Sequence, residues 1–119
     1  RMTRNQGIPV LQGGEDVNAP VGEVEPVNDI QCWRVHNRLH RDGAPALVVS
    51  DGTQMWFQNG RLHRVGGPAL IHPDGSYGYY FRGYPHRLDG PAVLNSDGSQ
   101  EWWHHGRLEL FVSAEEAAR

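Results

Sequence analysis

Histidine, arginine, aspartate and the indole and phenol rings are the side chains in this sequence with chemistry beyond packing, and their spacing decides what they can do. Seven histidines in 119 residues invite a metal site. His40, His63 and His86 stand at equal intervals of 23. On successive hairpins that interval separates them by roughly 9–10 Å, whereas one zinc needs each nitrogen at about 2.0–2.1 Å. His104 and His105 are neighbours, and on a strand they would point to opposite faces. Cys32 is the single cysteine and has no sulfur partner. Neither a metal nor another cofactor is expected. Catalysis is not expected either. The sequence has no nucleophile elbow and no phosphate loop. Asp51, Asp74 and Asp97 each precede a glycine, so a turn explains them. Ser50, Ser76, Ser96 and Ser99 flank those turns. The polar residues outside the repeating pattern (His36, His72, Cys32 and Glu101) form no recognisable constellation.

What remains is recognition by aromatic rings beside arginine, and the elements that place them come from a repeat. At a shift of 23, Pro45, Pro68 and Pro91 coincide, as do Gly52, Gly75 and Gly98, and Gly60, Gly83 and Gly106. Trp33, Trp56, Tyr79 and Trp102 coincide, and so do the His-Arg pairs at 40–41, 63–64 and 86–87. No insertion or deletion interrupts the pattern from Gln31 to Leu110. A period this short suits one β-hairpin per unit and not a pair of helices. Each unit holds an apolar strand (PALVV, PALIH, PAVLN), an Asp-Gly turn and an aromatic strand (TQMWFQ, SYGYYF, SQEWWH). Asp-Gly between strand-like runs predicts a hairpin whose two central residues both have positive φ. The leading QCWRVH lacks an apolar partner. The reading is all-β: one antiparallel meander sheet of about seven strands over residues 30–111.

Alternation along a strand assigns faces. Trp33, Trp56, Tyr79 and Trp102 form one stripe, which packs on Leu47, Leu70 and Val93 or on their immediate neighbours as a structural core. The next residue in each copy, Arg34, Phe57, Tyr80 and Trp103, falls on the opposite face. A single-layer sheet cannot bury both faces by itself. Exposed rings beside Arg34 and Arg82 have the composition of a protein interface. Intramolecular cover by the N-terminal segment and stacking on single-stranded nucleic acid are the other readings of this face. Stacking needs a basic groove as well as rings. His40, His63 and His86, with the arginines that follow them, are expected to tie down their own Gly-Pro turns by hydrogen bonds. Arg41, Arg64 and Arg87 have Asp42, Asp89 and the turn aspartates as further partners.

Composition frames these readings. Fifteen glycines and eight prolines argue for many turns and against long helices. The net charge of −3 does not point to nucleic acid. Two arginines against five acids put that charge in residues 1–29, while residues 30–119 balance nine against nine. All eleven basic residues are arginine. No apolar run spans a bilayer and no signal-peptide pattern opens the chain, so the expected setting is cytoplasmic, without membrane. Arg1 before Met2 reads as the edge of a fragment. Residues 1–29 read as a flexible or irregular N-terminal tail. In residues 112–119, Ser113 and Glu116 stand at capping-box spacing and predict a short C-terminal helix that covers the last strand.

The period of 23, the ring in each aromatic strand and the glycine after it resemble MORN repeats. The HRDGAPALVVSDGTQMWFQNG and HRLDGPAVLNSDGSQEWWHHG units are closer still to the MORN-variant repeats of bacterial and phage proteins, including antitoxin-like ones. The resemblance covers residues 31–110. It implies a meandering antiparallel sheet that serves as a scaffold or binds a partner, without a shared active site. His-Arg-x-x-Gly-Pro is not the ordinary pattern, and Tyr84-Pro85 replaces the Arg-Leu found at 38–39, 61–62 and 107–108. The expected function is non-catalytic protein binding through the aromatic face, as in a phage or bacterial inhibitor of a host or competitor protein. The alternatives are a structural or assembly protein, such as a phage particle component or a self-associating homo-oligomer, and a single-stranded nucleic-acid binder.

Overall fold

The computed structural model describes residues 30–119; the expected tail at 1–29 lies outside the described residues. Among these, the chain is built from short strands joined by tight turns: β1 (Ile30–Cys32), β2 (Arg34–Val35), β3 (Arg38–Leu39), β4 (Leu47–Val49), β5 (Gln54–Met55), β6 (Phe57–Gln58), β7 (Arg61–Leu62), β8 (Leu70–Ile71), β9 (Tyr77–Gly78), β10 (Tyr80–Phe81), β11 (Tyr84–Pro85), β12 (Val93–Leu94), β13 (Gln100–His104) and β14 (Arg107–Val112). One helical turn, α1 (Ala114–Ala117), follows. Eight strands form the antiparallel main sheet, in the order β1-β4-β5-β8-β9-β12-β13-β14. The others form three two-stranded ribbons: β2-β3, β6-β7 and β10-β11.

The expected all-β antiparallel meander is present, with eight strands in its main sheet where about seven were expected, the edge strand β14 being the addition, and with one further difference. Each aromatic segment divides at its ring residue. The Trp33 N–H donates to Ala46 O, while Trp33 O accepts from the His40 N–H. Trp56 and Tyr79 repeat this with Ala69 and His63, and with Ala92 and His86. The ring residue therefore belongs to two ladders at once: its N–H to the main sheet, its C=O to a ribbon. In the last copy the segment stays whole, because β13 and β14 pair along their length with one bulge between Trp102 and Trp103. There Phe111 opposes Glu101 as Val93 opposes Gly78. The chain reaches that place in ten residues instead of fifteen, and Glu109-Leu110 stands where His-Arg would be.

Two turn types alternate. At the Asp-Gly turns only the glycine has positive φ: Gly52 99°, Gly75 94° and Gly98 93°. The expectation that both central residues are left-handed is therefore wrong there. Asp51 Oδ1 accepts from the Thr53 N–H at 2.8 Å, as Asp74 does from Ser76 at 2.9 Å and Asp97 from Ser99 at 2.8 Å. That bond holds the aspartate in an ordinary turn conformation and leaves the left-handed step to glycine, a three-residue hairpin loop. The doubly left-handed turns are those of the three ribbons, His36-Asn37, Asn59-Gly60 and Arg82-Gly83, and the β13–β14 turn, His105-Gly106.

The slab measures 52 × 26 × 19 Å. Its radius of gyration, 16.0 Å, exceeds the about 12 Å expected of a globule of ninety residues. Among the described residues Ala46, Ala69 and Ala92 are fully buried, but no large side chain is. Single-layer construction of the described residues explains this: a sheet without a second layer leaves both faces half open. Ser113 Oγ accepts from the Glu116 N–H at 3.2 Å and caps α1 as expected. No residue of the helix is buried. Leu108, Leu110 and Phe111 of the edge strand β14 remain about half exposed, so the helix does not cover that strand.

Candidate functional site

Three columns of side chains hold successive units together. The Arg41 guanidinium carbon lies 3.8 Å from the centroid of Trp33, Arg64 is 3.9 Å from Trp56 and Arg87 is 4.1 Å from Tyr79. Each arginine also donates to the carbonyl of its own turn proline: Pro45 at 3.2 Å, Pro68 at 3.0 Å and Pro91 at 3.1 Å. The expected tie to the Gly-Pro turn is thus made by the arginine. The histidine does something else. His40 Nδ1 accepts from the Asn59 N–H at 3.0 Å, His63 from the Arg82 N–H at 2.9 Å and His86 from the His105 N–H at 2.9 Å. Each histidine caps the left-handed turn of the following unit, nineteen residues on, and sequence spacing within one unit contains no signal for that contact.

The ring stripe Trp33, Trp56, Tyr79 and Trp102 has a structural role. Trp33 is buried and the others are half-buried. Trp102, where Arg gives way to Leu110, faces that leucine across the β13–β14 ladder.

The opposite face carries the residues expected to recognise a partner. Directly opposed residues share a face, so Cys32, Leu47, Met55, Leu70, Gly78, Val93, Glu101 and Phe111 form one row across the main sheet. Two contacts place the second aromatic set on this side. A Cβ at Gly78 would lie 2.7 Å from Tyr80 Cε1, and Trp103 Nε1 donates to Glu101 Oε1 at 2.7 Å. Phe57 holds the same repeat position beside Met55. Phe57, Tyr80 and Trp103 are half-buried and not fully open; Tyr80 and Trp103 lie down on the row beside them. Burial and the Glu101 charge raise the Tyr80 hydroxyl above its ordinary pKa, so it stays a protonated donor. The glycine opens a groove of about 570 Å³ against Leu70, Tyr80 and Val93, rimmed by His72, Asp74 and Asn95. Arg34, half-buried on β2, opposes Leu39 as Phe57 opposes Leu62 and Tyr80 opposes Pro85. Arg82 does not join this face. It stands exposed on the β10–β11 turn, 5.2 Å from the Phe81 ring, and lines a separate groove with Arg38 and Arg61.

The histidines at the last turn depart from expectation. His105 has φ 50°, which turns its ring back, so His104 and His105 do not point apart. His86 stacks on His105 at 3.9 Å with 16° between planes and lies 4.9 Å from His104. Ligand atoms of all three lie within 4.8 Å of one another. Stacked rings present faces to each other and not convergent lone pairs. His86 Nδ1 already accepts a hydrogen bond, which leaves the ring proton on Nε2. A ligating histidine instead donates from its second nitrogen, so this arrangement does not suit a metal. Desolvation, then His105 and His104, lower the His86 pKa. His36 and His40 stand four apart, a spacing that serves metals on a helix, but they flank a β-turn. No catalytic constellation appears among the described residues.

Sequence reasoning missed the exposed apolar residues Tyr84, Val65 and Leu88 and the edge strand with Leu108, Leu110 and Phe111. The last group was legible in principle, since Glu109-Leu110 breaks the His-Arg pattern. Comparison with protein-family models, with curated proteins and with solved structures finds no match.

Proposed function

We propose that this chain is a non-catalytic protein-binding module that occupies a partner protein through the face bearing Phe57, Tyr80 and Trp103, flanked by Arg34. The observation that carries this reading is the row from Cys32 to Phe111: a surface across eight strands that is apolar but for Glu101, with no second layer over it among the described residues. Aromatic rings half-sunk in such a surface are rigid and lose little entropy on binding. The groove at Gly78 would accept an apolar side chain of the partner. Among the described residues no helix is long and apolar enough to cross a membrane, and we place the module in the cytoplasm. The MORN-variant resemblance supports a bacterial or phage inhibitor or antitoxin-like role. A structural, self-associating role is the second reading, favoured by the half-exposed edge strand β14.

The test is partner capture from host lysate by the wild-type chain and by Phe57→Ser/Tyr80→Ser/Trp103→Ser, with circular dichroism of both. A folded variant that loses a specific protein retained by the wild type supports the reading. A folded variant that keeps the same partner overturns it. Where the triple variant unfolds, Tyr80→Ser alone serves, since it removes the ring and leaves the Gly78 strand pairing in place.

A further inference from the structure

We infer that the groove along the ribbon turns binds an acidic peptide segment by its carboxylates. The groove has a volume of about 480 Å³ and is lined by Arg38, Arg61, Arg82, His63, Gln58 and Asn59, with no carboxylate among them. The three guanidiniums are exposed and form no ion pair among the described residues, where the ion pairs are His40–Asp42 and Arg87–Asp89. His63 adds a fourth donor. Its Nδ1 accepts from the Arg82 N–H, so its ring proton is on Nε2. Asp42 is held by the Gln58 amide at 3.0 Å and by His40 and is not part of the lining.

Donor geometry selects the ligand. Compact phosphate sites draw on a cradle of backbone N–H groups. Here those groups are spent: the N–H of Asn59 on His40, of Arg82 on His63, of Gly60 on Leu39 O and of Gly83 on Leu62 O. What is left is planar side-chain forks, which pair bidentately with carboxylate or phosphate oxygens; set apart from one another, they suit separate anionic groups along a chain better than one compact ion. The two-strand repeat separates Arg38 from Arg61 by roughly 9–10 Å, about the rise of three extended residues. A long polyanion would need a positive field from the whole body, and residues 30–119 balance nine arginines with nine acids. The site is separate from the aromatic face and stands or falls on its own.

The experiment titrates fluorophore-labelled hexaglutamate with the full chain and reads fluorescence anisotropy, with inorganic pyrophosphate and a single-stranded oligonucleotide as parallel probes. Saturable binding of hexaglutamate is expected, weakened by added salt. Arg38→Gln/Arg61→Gln should lower its affinity about tenfold or more, and Arg82→Asn, which suits the left-handed turn, should lower it as well. Arg119→Gln should leave it unchanged. Absence of binding, equal affinity in Arg38→Gln/Arg61→Gln with wild-type circular dichroism, or tighter binding of pyrophosphate or oligonucleotide would each overturn the inference.

Discussion

Replacing His63 tests the link between units most directly. Its Nδ1 accepts from the Arg82 N–H at 2.9 Å, and its ring lies 4.6 Å from that of Phe81 at 48°. Arg82 has φ 53°, a conformation that costs a non-glycine residue about 1–2 kcal/mol and needs support. His63→Phe keeps the ring and removes the acceptor. The cost expected is about 1 kcal/mol, the net worth of one hydrogen bond at an accessible site. His63→Ala also removes the ring contact, for about 2 kcal/mol in total. In a domain of this size these correspond to melting-point losses of about 4–8 °C and about 8–16 °C. Thermal unfolding followed by circular dichroism measures both. If His63→Phe melts with the wild type, the bond to the turn contributes nothing, and the account of histidine as the cap between units fails. If His63→Phe and His63→Ala melt together, the Phe81 contact is idle.

Acid tests the cap that His86 makes on the His105 N–H, because a histidine protonated at Nδ1 cannot accept. The His86 pKa lies below its ordinary value when folded, chiefly through desolvation. The unfolded chain therefore binds the proton more readily, and stability is lost as pH falls below about 6.5. Urea midpoints at pH 7.5 and 5.5 should differ, His86→Phe should reduce the difference, and identical midpoints in the wild type would contradict the scheme. Hydrogen bonds from Thr53, Ser76 and Ser99 hold Asp51, Asp74 and Asp97 below the usual carboxylate pKa. Their stabilisation is present above about pH 3.9 and fades as pH falls through the folded values, so Asp51→Asn/Asp74→Asn/Asp97→Asn should flatten acid unfolding below pH 4. Gly78→Ala should cost about 1–3 kcal/mol, because the new methyl meets the Tyr80 ring. Gly67→Ala should change stability by less than about 1 kcal/mol. Its methyl meets only the movable Arg64 guanidinium at 3.0 Å, and Ala44 already holds the equivalent place above Pro45. Paired thermal melts compare the two, and equal losses would refute this account.

The repeat was legible because glycine and proline mark it wherever the backbone has no alternative. Gly60, Gly83 and Gly106 sit in left-handed turns, and Pro45, Pro68 and Pro91 lead into strands that need no N–H at that point. The antiparallel order and the two ring stripes follow from that alone. What stayed hidden lies between units. The partner of His63 is a backbone N–H nineteen residues away, and no side-chain type at Arg82 announces it. Aspartate before glycine suits two turn types, and only the bond from Asp51 to the Thr53 N–H decides between them. The division at Trp33, Trp56 and Tyr79 follows from one residue having partners in two ladders, which alternation cannot express. Arg82 was grouped with Tyr80 by nearness in sequence, but the left-handed turn carries it to another groove.

That each histidine serves its neighbour has a consequence for the chain's economy of folding. No single 23-residue unit is self-sufficient, since its left-handed turn borrows an acceptor from the unit before it. A boundary between folded and unfolded stretches at Asn59, Arg82 or His105 therefore strands a donor. Fraying between units is thereby penalised by about 1 kcal/mol at each such junction, a nearest-neighbour coupling along the rod.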